Sequence, residues 1–295
     1  SSKIKDETLE TKSHLDLPSV LMSASGMGIL VLGVLQSKTW GWITPISSPV
    51  INGQEIAPLG ISLTAYFIVI GLIILKMFMS RQRSLEASGR DPLLKTSLLE
   101  LPILKSGLSV LLSQYFVIAA LFFVVPVYLQ TVLGFDALQT GVKLVPLSIG
   151  LVIFSAIGSK LSATKPPRLI VRSGQLAMAG GALLLLASIN PELSSGLFWA
   201  GMFIVGVGFG LLASQLGNVN MSAVSSDDTV QVGGLQGTYQ NLGSSFGTAL
   251  VGSIFMLTLT SGFISAVQSS PDLSSDQKTQ ISAKAEKGVG VVSAD

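Results

Sequence analysis

Seven apolar blocks, each of roughly twenty residues, constrain the fold of this chain more than any other feature. They cover residues 17–36, 58–79, 106–129, 141–161, 169–189, 197–217 and 234–260. A helix of about twenty residues spans the hydrocarbon core of a bilayer, whereas these runs are too long and too continuous for the alternating strands of a membrane barrel. The pattern predicts an all-α fold, a polytopic bundle of about seven transmembrane helices embedded in a lipid bilayer.

The composition agrees with a membrane protein and excludes several kinds of chemistry. Hydrophobic residues make up 48% of the 295 residues and charged residues only 12%, against a usual charged share of about 25% in soluble domains. The chain has no cysteine, and its single histidine, His14, lies in the polar N-terminal segment. Without thiolates, histidine clusters or a nucleophile constellation, the sequence predicts neither an enzyme nor a metal or other cofactor.

The lysines and arginines that flank the blocks lie on alternate connections. One set of connections carries twelve of the 18 basic residues, while the opposite connections between blocks carry only Lys38. The twelve are Lys3, Lys5, Lys12, Arg81, Arg83, Arg90, Lys95, Lys105, Lys160, Lys165, Arg168 and Arg172. Cytoplasmic loops of membrane proteins hold such an excess, so we expect a multi-pass protein of the cell membrane with residues 1–16 in the cytosol and the segment after the last block outside. Cations that only solubilise the loops would not explain the asymmetry.

Charged residues are scarce inside the blocks. Lys76 and Lys143 lie near block ends, from which their long side chains can reach the interface, and no aspartate or glutamate lies in the middle of any block. Intramembrane proton coupling normally uses a protonatable group within the bundle. Such a group is therefore not visible in these blocks.

Uncharged polar residues form stripes that predict a lined cavity. In the seventh block Gln236, Gln240, Gly243 and Gly247 follow one helical face, and the polar residues of the third and sixth blocks also fall mostly near the cytosolic ends. The candidate cavity-lining residues are Gln114, Tyr115, Tyr128, Gln215, Asn218, Gln236, Gln240 and Asn241. They could line a vestibule that opens to the cytosol, or they could form only hydrogen bonds between helices.

Glycines spaced four residues apart predict close helix crossings. Gly206 and Gly210 lie in the sixth block, and Gly243 and Gly247 lie in the seventh. Small residues at this spacing let membrane helices approach each other, so we expect a packing role. The same smooth faces would also let helices slide in a moving protein, and the sequence does not separate these uses.

Several short motifs recur in one order along the chain. Residues 126–130 read Pro-Val-Tyr-Leu-Gln, residues 134–141 read Gly-Phe-Asp-Ala-Leu-Gln-Thr-Gly, and residues 144–147 read Leu-Val-Pro-Leu. Asp-Pro-Leu-Leu follows the second block at residues 91–94, and Asn-Leu-Gly stands at residues 241–243. In this succession the chain resembles the C-terminal half of the fourteen-helix drug:proton antiporters of the major facilitator superfamily, over about residues 16–265.

The resemblance implies a division of the chain. Residues 1–16 would be a cytosolic linker, 17–79 an inserted pair (helices seven and eight), 80–105 a cytosolic loop, 106–262 the transport bundle (helices nine to thirteen) and 263–295 an extracytoplasmic polar segment. It also implies proton-coupled efflux of small amphipathic organic compounds or drugs by alternating access. The chain would then be a C-terminal fragment, and its partner would be the N-terminal transporter half that is missing here.

Three departures from the family pattern affect this interpretation. The loop with Lys160, Lys165 and Arg168 resembles a cytosolic gating loop, but Ala163 stands where an aspartate is usual. Gln240 and Asn241 stand where relatives often have arginine followed by glutamine. No apolar block follows residue 269 at the position of helix fourteen, although Ser274 could start a short helix there.

Other functions remain open from the sequence alone. The absence of acidic residues within the blocks also fits a transport-dead membrane scaffold or sensor that keeps the fold. Nucleic-acid binding has no support beyond loop cations that the membrane topology already explains. The sequence favours the hypothesis of a transporter with a small-molecule substrate.

Overall fold

The computed structural model describes residues 16–51, 54–189, 195–271 and 273–287. Within these ranges, seven helices are long and apolar enough to cross a membrane. They are α1 Leu17–Trp40, α2 Leu63–Ala87, α3 Pro102–Val127, α4 Ala137–Leu161, α5 Pro167–Ser188, α6 Ser195–Met221 and α7 Thr229–Ser269, followed by the short helix α8 Ser275–Lys287. Each predicted block is confirmed as a helix, and the fold is an all-helical membrane bundle. A small antiparallel hairpin, β1 Val50–Ile51 with β2 Gln54–Glu55, interrupts the connection between α1 and α2.

Several helix ends differ from the apolar blocks because polar caps and backbone turns set them. Helix α2 begins at Leu63 rather than Pro58, since Pro58–Gly60 forms a 3-10 turn that contains Leu59 at φ +56° and Gly60 at φ +71°. The Ser62 hydroxyl then caps α2 by accepting a hydrogen bond from the Thr64 amide at 3.2 Å. Hydropathy marks what can be buried in lipid, whereas these local hydrogen bonds decide where a helix starts.

The motif at residues 134–141 is a helix start. Gly134 has φ +69°, and Asp136 and Gln139 then form a reciprocal capping box at the start of α4. Ser274 and Gln277 exchange the same pair of hydrogen bonds before α8, at 3.0 and 3.3 Å. The predicted helix after residue 270 is confirmed. This helix, α8, packs against the end of α7. Helix α7 has 41 residues, so it is about 60 Å long and exceeds the thickness of a bilayer core.

Helix α6 lies at the centre of the bundle. In its most apolar stretch 56% of residues are buried, against 17–28% in the other six membrane-length helices. It packs along α4 and α5 and also contacts α3, while α3 packs along α7. Helices α1 and α2 pair with each other and contact the rest of the bundle through α1 and α7.

The two larger hydrophobic cores of the bundle lie one near each end, and a smaller third cluster joins α1 to α7. The starts of α1, α3, α5 and α7 meet the ends of α2, α4 and α6 at the end we call the basic end, because it carries Arg81, Lys95, Lys160 and Arg168. The core there joins α3, α6 and α7, and the opposite core joins α3 to α6. The buried side chains of the basic-end core are Leu98, Leu104, Leu108, Leu111, Leu212, Leu216, Val232 and Leu235. Both cores include α3 and α6, so these two helices set the positions of polar groups in the interior.

Candidate functional site: amide side chains around helix α6

Helix α6 crosses α4 at two glycines one turn apart. A Cβ atom on Gly206 would lie 2.1 Å from the carbonyl oxygen of Leu147, and one on Gly210 would lie 2.5 Å from that of Leu151. Real Cβ atoms do not come so close to a backbone, so glycine allows the two helices to approach here. The backbone of α6 is therefore held directly against that of α4.

Helix α7 crosses α3 in the same way. A Cβ atom on Gly243 would lie 2.4 Å from the carbonyl oxygen of Leu112, and one on Gly247 would lie 2.2 Å from that of Phe116. The crossing places the first half of α7 along the first half of α3. Polar side chains of these two helices consequently come near the second half of α6.

Two buried glutamines reach the backbones of neighbouring helices. Gln114 on α3 is 4% exposed, and its Nε2 donates to the Phe209 carbonyl of α6 at 3.5 Å. Gln215 on α6 is 1% exposed, and its Nε2 donates to the Gly158 carbonyl of α4 at 3.0 Å and to Ser214 Oγ at 3.1 Å. The structure thus connects α3, α4 and α6 through amide side chains.

One of the polar residues predicted on α7, Gln236, contacts the last turns of α6. Gln236 is half-buried, and its Nε2 donates to the Gly217 carbonyl at 3.5 Å. Gln240 is half-buried and Asn241 is exposed. Asn218 belongs to α6, but its side chain lies outside the described residues. Gln236 therefore joins α7 to α6, and Gln240 follows it one turn along α7.

The two predicted tyrosines lie at different ends of α3. Tyr115 packs against the basic-end core, and Tyr128 packs against the opposite core. Thirteen residues of helix separate them by about 20 Å. Tyr128 begins a π-helical turn, Tyr128–Val132, that directly follows Pro126 and Val127. The structure brings Tyr115, not Tyr128, near the glutamines.

Sequence reasoning missed Asn220, which is fully buried between α6 and α3. Its Oδ1 lies 1.9 Å from the position that a Cβ on Gly107 would take. In the described part of the chain, neither polar atom of the Asn220 amide has a hydrogen-bond partner, nor does Oε1 of Gln114. The spacing could have indicated this burial. Asn220 follows Leu212 and Leu216 at intervals of four residues, so it lies on the same helical face as these two buried leucines.

A cavity of about 760 Å³ opens at the basic end between α3, α5 and α6. We call it the basic-end cavity; its walls come from residues 102–110, 162–175 and 215–223. Among the predicted site residues, Gln215 and Arg168 line it. Lys160 and Lys165 are exposed beside it, at the end of α4 and in the following turn, where the Lys165 amide donates to the Leu161 carbonyl at 2.8 Å.

A second polar cluster fixes the start of α1 against the end of α2. Arg81 donates to both carboxylate oxygens of Asp16, at 2.9 and 2.8 Å, and Ser19 also donates to Asp16. The fully buried Gln82 donates to Ser19 Oγ at 2.6 Å, and its Oε1 accepts from the Leu94 amide at 3.1 Å. This cluster ties α1, α2 and the connection to α3 into one unit.

The connection between α2 and α3, residues 88–101, is anchored on two helices. On one side, Glu86 of α2 accepts hydrogen bonds from the amide and the hydroxyl of Thr96, at 2.8 and 2.6 Å. On the other, Lys95 Nζ pairs with Asp228 at 2.7 Å, and the Lys95 amide donates to Gln231 of α7 at 2.8 Å. The hydrogen bond from Lys95 lowers the pKa of Asp228. The connection thereby links the α1–α2 pair to the start of α7.

The Asp16–Arg81 pair predicts an acid-sensitive contact. The hydrogen bond from Arg81, followed by that from Ser19, lowers the pKa of Asp16 from 3.8 to about 2. Because the folded pKa is depressed, the stabilisation is complete above pH 3.8 and is lost as the pH falls towards 2. Arg81→Gln should remove this contribution, so the thermal midpoint should fall at pH 7 and should depend less on pH below 5.

Arg83→Gln is the matched control for that measurement. Arg83 is exposed on the same helix and forms no ion pair within the described ranges. Thermal unfolding in detergent between pH 7 and pH 3 should separate the two variants. Indistinguishable profiles would contradict a stabilising role for the Asp16–Arg81 pair.

Comparison with known proteins identifies the family of this chain. Residues 19–248 match the Major Facilitator Superfamily. The uncharacterized transporter YebQ of Escherichia coli is 27% identical over 82% of the chain and 48% of its own length. The probable actinorhodin transporter of Streptomyces coelicolor is 23% identical over 92% of the chain and 44% of its own length. The multidrug resistance protein Stp of Mycobacterium tuberculosis is 22% identical over 87% of the chain and 44% of its own length.

The chain spans about half the length of these curated relatives, at 48%, 44% and 44%. The family match covers α1 from residue 19 onward, α2 to α6 completely and α7 up to residue 248, so it includes both glycine crossings and the amide side chains around α6. With this match over most of its length and seven membrane-length helices among its described residues, the chain belongs to the Major Facilitator Superfamily.

Proposed function

We propose that this chain is the C-terminal part of a fourteen-helix carrier that exports small amphipathic organic compounds in exchange for protons. Helices α1 to α7 would be helices seven to thirteen, with α1 and α2 as the inserted pair and α3 to α7 in the transport bundle. The basic end would face the cytosol, since its lysines and arginines follow the positive-inside rule. The N-terminal half of the carrier would supply the second bundle needed for alternating access.

The amide groups around α6 carry the proposal. Gln114, Gln215, Gln236 and Asn220 come from three helices and lie along the second half of α6. Leaving a buried polar atom without a partner costs about 1–3 kcal/mol. The unpartnered atoms of Gln114 and Asn220 are explained if they bind water or substrate in another state of the carrier.

The names of the relatives support export of organic compounds. Besides the actinorhodin and multidrug proteins, the chain resembles a tetracenomycin C resistance and export protein of Streptomyces glaucescens, at 25% identity over 80% of the chain. A carrier with such substrates needs apolar contact surface and a few uncharged hydrogen-bonding groups. The interior of this bundle offers both an apolar contact surface and uncharged hydrogen-bonding groups.

Proton coupling would depend on residues outside the described helices. Among the seven membrane-length helices, only α2 contains a carboxylate, Glu86, and it lies one residue before the helix end. We therefore assign the protonatable group to the N-terminal half of the carrier. The same scarcity, together with Gln240 in place of the usual arginine, favours a transport-dead scaffold or sensor as the alternative function.

Transport by reconstituted protein tests the proposal. Proteoliposomes that contain the complete carrier should move a lipophilic organic cation such as ethidium when a pH gradient is imposed. The 295-residue chain alone should show no gradient-driven flux, because one bundle does not provide alternating access. Flux through the chain alone would overturn the half-carrier assignment, and a complete carrier that is inactive on a broad panel would favour the scaffold.

Variants of the complete carrier test the amide site itself. Gln236→Ala combined with Gln240→Ala should change the relative rates for different substrates by at least about threefold, the loss of roughly one hydrogen bond. Membrane insertion should be unaffected. Gln268→Ala, near the other end of α7, is the control. Unchanged rates across the panel would leave these glutamines with a packing role only.

A further inference from the structure

The basic-end cavity combines cationic and apolar walls. Arg168 and Arg172 lie one turn apart at the start of α5 and line one side. Ile103 and Val110 of α3 and Val219 of α6 line the other walls. At about 760 Å³, it is in the size range of small-molecule sites. A ligand that fits both surfaces has an anionic head and an apolar body.

The two guanidinium groups are not neutralised by carboxylates. No aspartate or glutamate is among the described residues that line the cavity, and neither arginine forms an ion pair within the described ranges. The positive end of the α5 dipole adds to the same field. Guanidinium groups bind phosphate oxygens in pairs, with more directional hydrogen bonding than lysine gives.

The cavity also lies beside a surface suited to acyl chains. Next to the two arginines, α5 presents Leu169 and Leu176, which are 50% and 74% exposed, and Ile103 at the other side of the cavity is 55% exposed. Leu169 and Ile103 occupy the first turns of membrane-length helices, the level at which lipid headgroups meet hydrocarbon, and Leu176 lies two turns further along α5. An anion that enters here can keep its apolar part in the membrane.

We propose that the basic-end cavity binds the headgroup of an anionic phospholipid through Arg168 and Arg172. The phosphate accepts hydrogen bonds from both guanidinium groups, and Gln175 and Ser106, which also line the cavity, lie within its polar part. The acyl chains follow the exposed apolar faces of α3 and α5. Basic cavities between membrane helices bind anionic headgroups on these physical grounds.

Native mass spectrometry of the complete carrier and of the 295-residue chain tests this site. Both should retain phosphatidylglycerol in preference to phosphatidylcholine. The double variant R168Q/R172Q should weaken phosphatidylglycerol binding at least about tenfold, the effect of losing one charge-assisted hydrogen bond or more. R83Q/R90Q, which removes two exposed charges from the same end, should change it less than about twofold.

A second variant separates the cavity from general charge effects. Ser106→Trp fills the cavity while it keeps both arginines, and it should also displace phosphatidylglycerol. Circular dichroism and thermal unfolding of each variant confirm that the protein is folded. The expected result is loss of lipid in R168Q/R172Q and Ser106→Trp but not in R83Q/R90Q.

Four outcomes would overturn the proposal. Equal loss of phosphatidylglycerol in R168Q/R172Q and R83Q/R90Q would show that the lipid is held only by the general surface charge of this end. Full competition by millimolar inorganic phosphate would assign the site to a free anion, and competition by ethidium or another exported compound would assign it to the transport pathway. Lipid binding to the chain that is lost in the complete carrier would show that a polypeptide segment covers the cavity.

Discussion

Replacing Gly247 with alanine should lower the free energy of unfolding by about 1–3 kcal/mol, the usual cost of inserting a methyl group into a closely packed interface. The new Cβ would lie 2.2 Å from the carbonyl oxygen of Phe116 and 3.0 Å from its carbonyl carbon. Both atoms belong to the backbone of α3, so no side-chain rotation relieves the contact. Helices α3 and α7 must move apart along their crossing, which would also disturb the neighbouring contact at Gly243.

Gly237→Ala is the matched control on the same helix. A Cβ there would meet no atom within 4 Å, so the variant should be neutral or more stable by up to about 1 kcal/mol, because alanine favours helix over glycine. Reversible unfolding in mixed micelles, followed by circular dichroism, measures both variants. Equal effects at the two positions would show that the crossing tolerates a methyl group.

Removing the Glu86 side chain should release the connection between α2 and α3. Glu86→Ala deletes the acceptor for the amide and hydroxyl of Thr96 and for the Ser97 hydroxyl, which lies 2.5 Å from Oε1. Hydrogen bonds to a charged group contribute about 1.5–3 kcal/mol each, and partial exposure reduces this. The Thr96 amide should therefore exchange with deuterium roughly tenfold faster, since 1.4 kcal/mol corresponds to about a factor of ten.

Glu100→Ala is the control for that measurement, because Glu100 is exposed in the same connection. Hydrogen exchange read out by mass spectrometry should show faster exchange in residues 88–101 for Glu86→Ala alone. The faster exchange should also reach the start of α7. Lys95 forms an ion pair with Asp228, which directly precedes α7, and its amide donates to Gln231 in the first turn of α7. Exchange that is unchanged at Thr96 would contradict the anchoring role of Glu86.

The anchored connection has a consequence for the proposed carrier. If α7 moves during alternating access, the Lys95 and Glu86 contacts would pass that movement to α1 and α2 through Gln82 and Arg81. The positions of α1 and α2 would then change with the conformational state of the bundle. The acid-sensitive Asp16–Arg81 contact lies at the far end of the same chain of contacts.

Much of the architecture could be predicted from local sequence. Apolar length predicted each membrane helix, and the starts of α4 and α8 follow from residues three apart, Asp136 with Gln139 and Ser274 with Gln277. The spacing of Gly206 with Gly210 and of Gly243 with Gly247 predicted two close crossings but not the partner helices. The partners are α4 and α3 respectively.

The sequence by itself determined the number of membrane-length helices, their alternating basic connections and their capping signals, because these depend on neighbouring residues along the chain. Only the tertiary structure decided that Gln215 bonds to Gly158, that Asn220 is buried against Gly107 and that Arg168 and Arg172 border a cavity. In a membrane helix nearly every face is apolar, so hydrophobic periodicity does not mark the face that contacts protein. The rotation of each helix, and with it the position of each polar group, is set by packing against its neighbours.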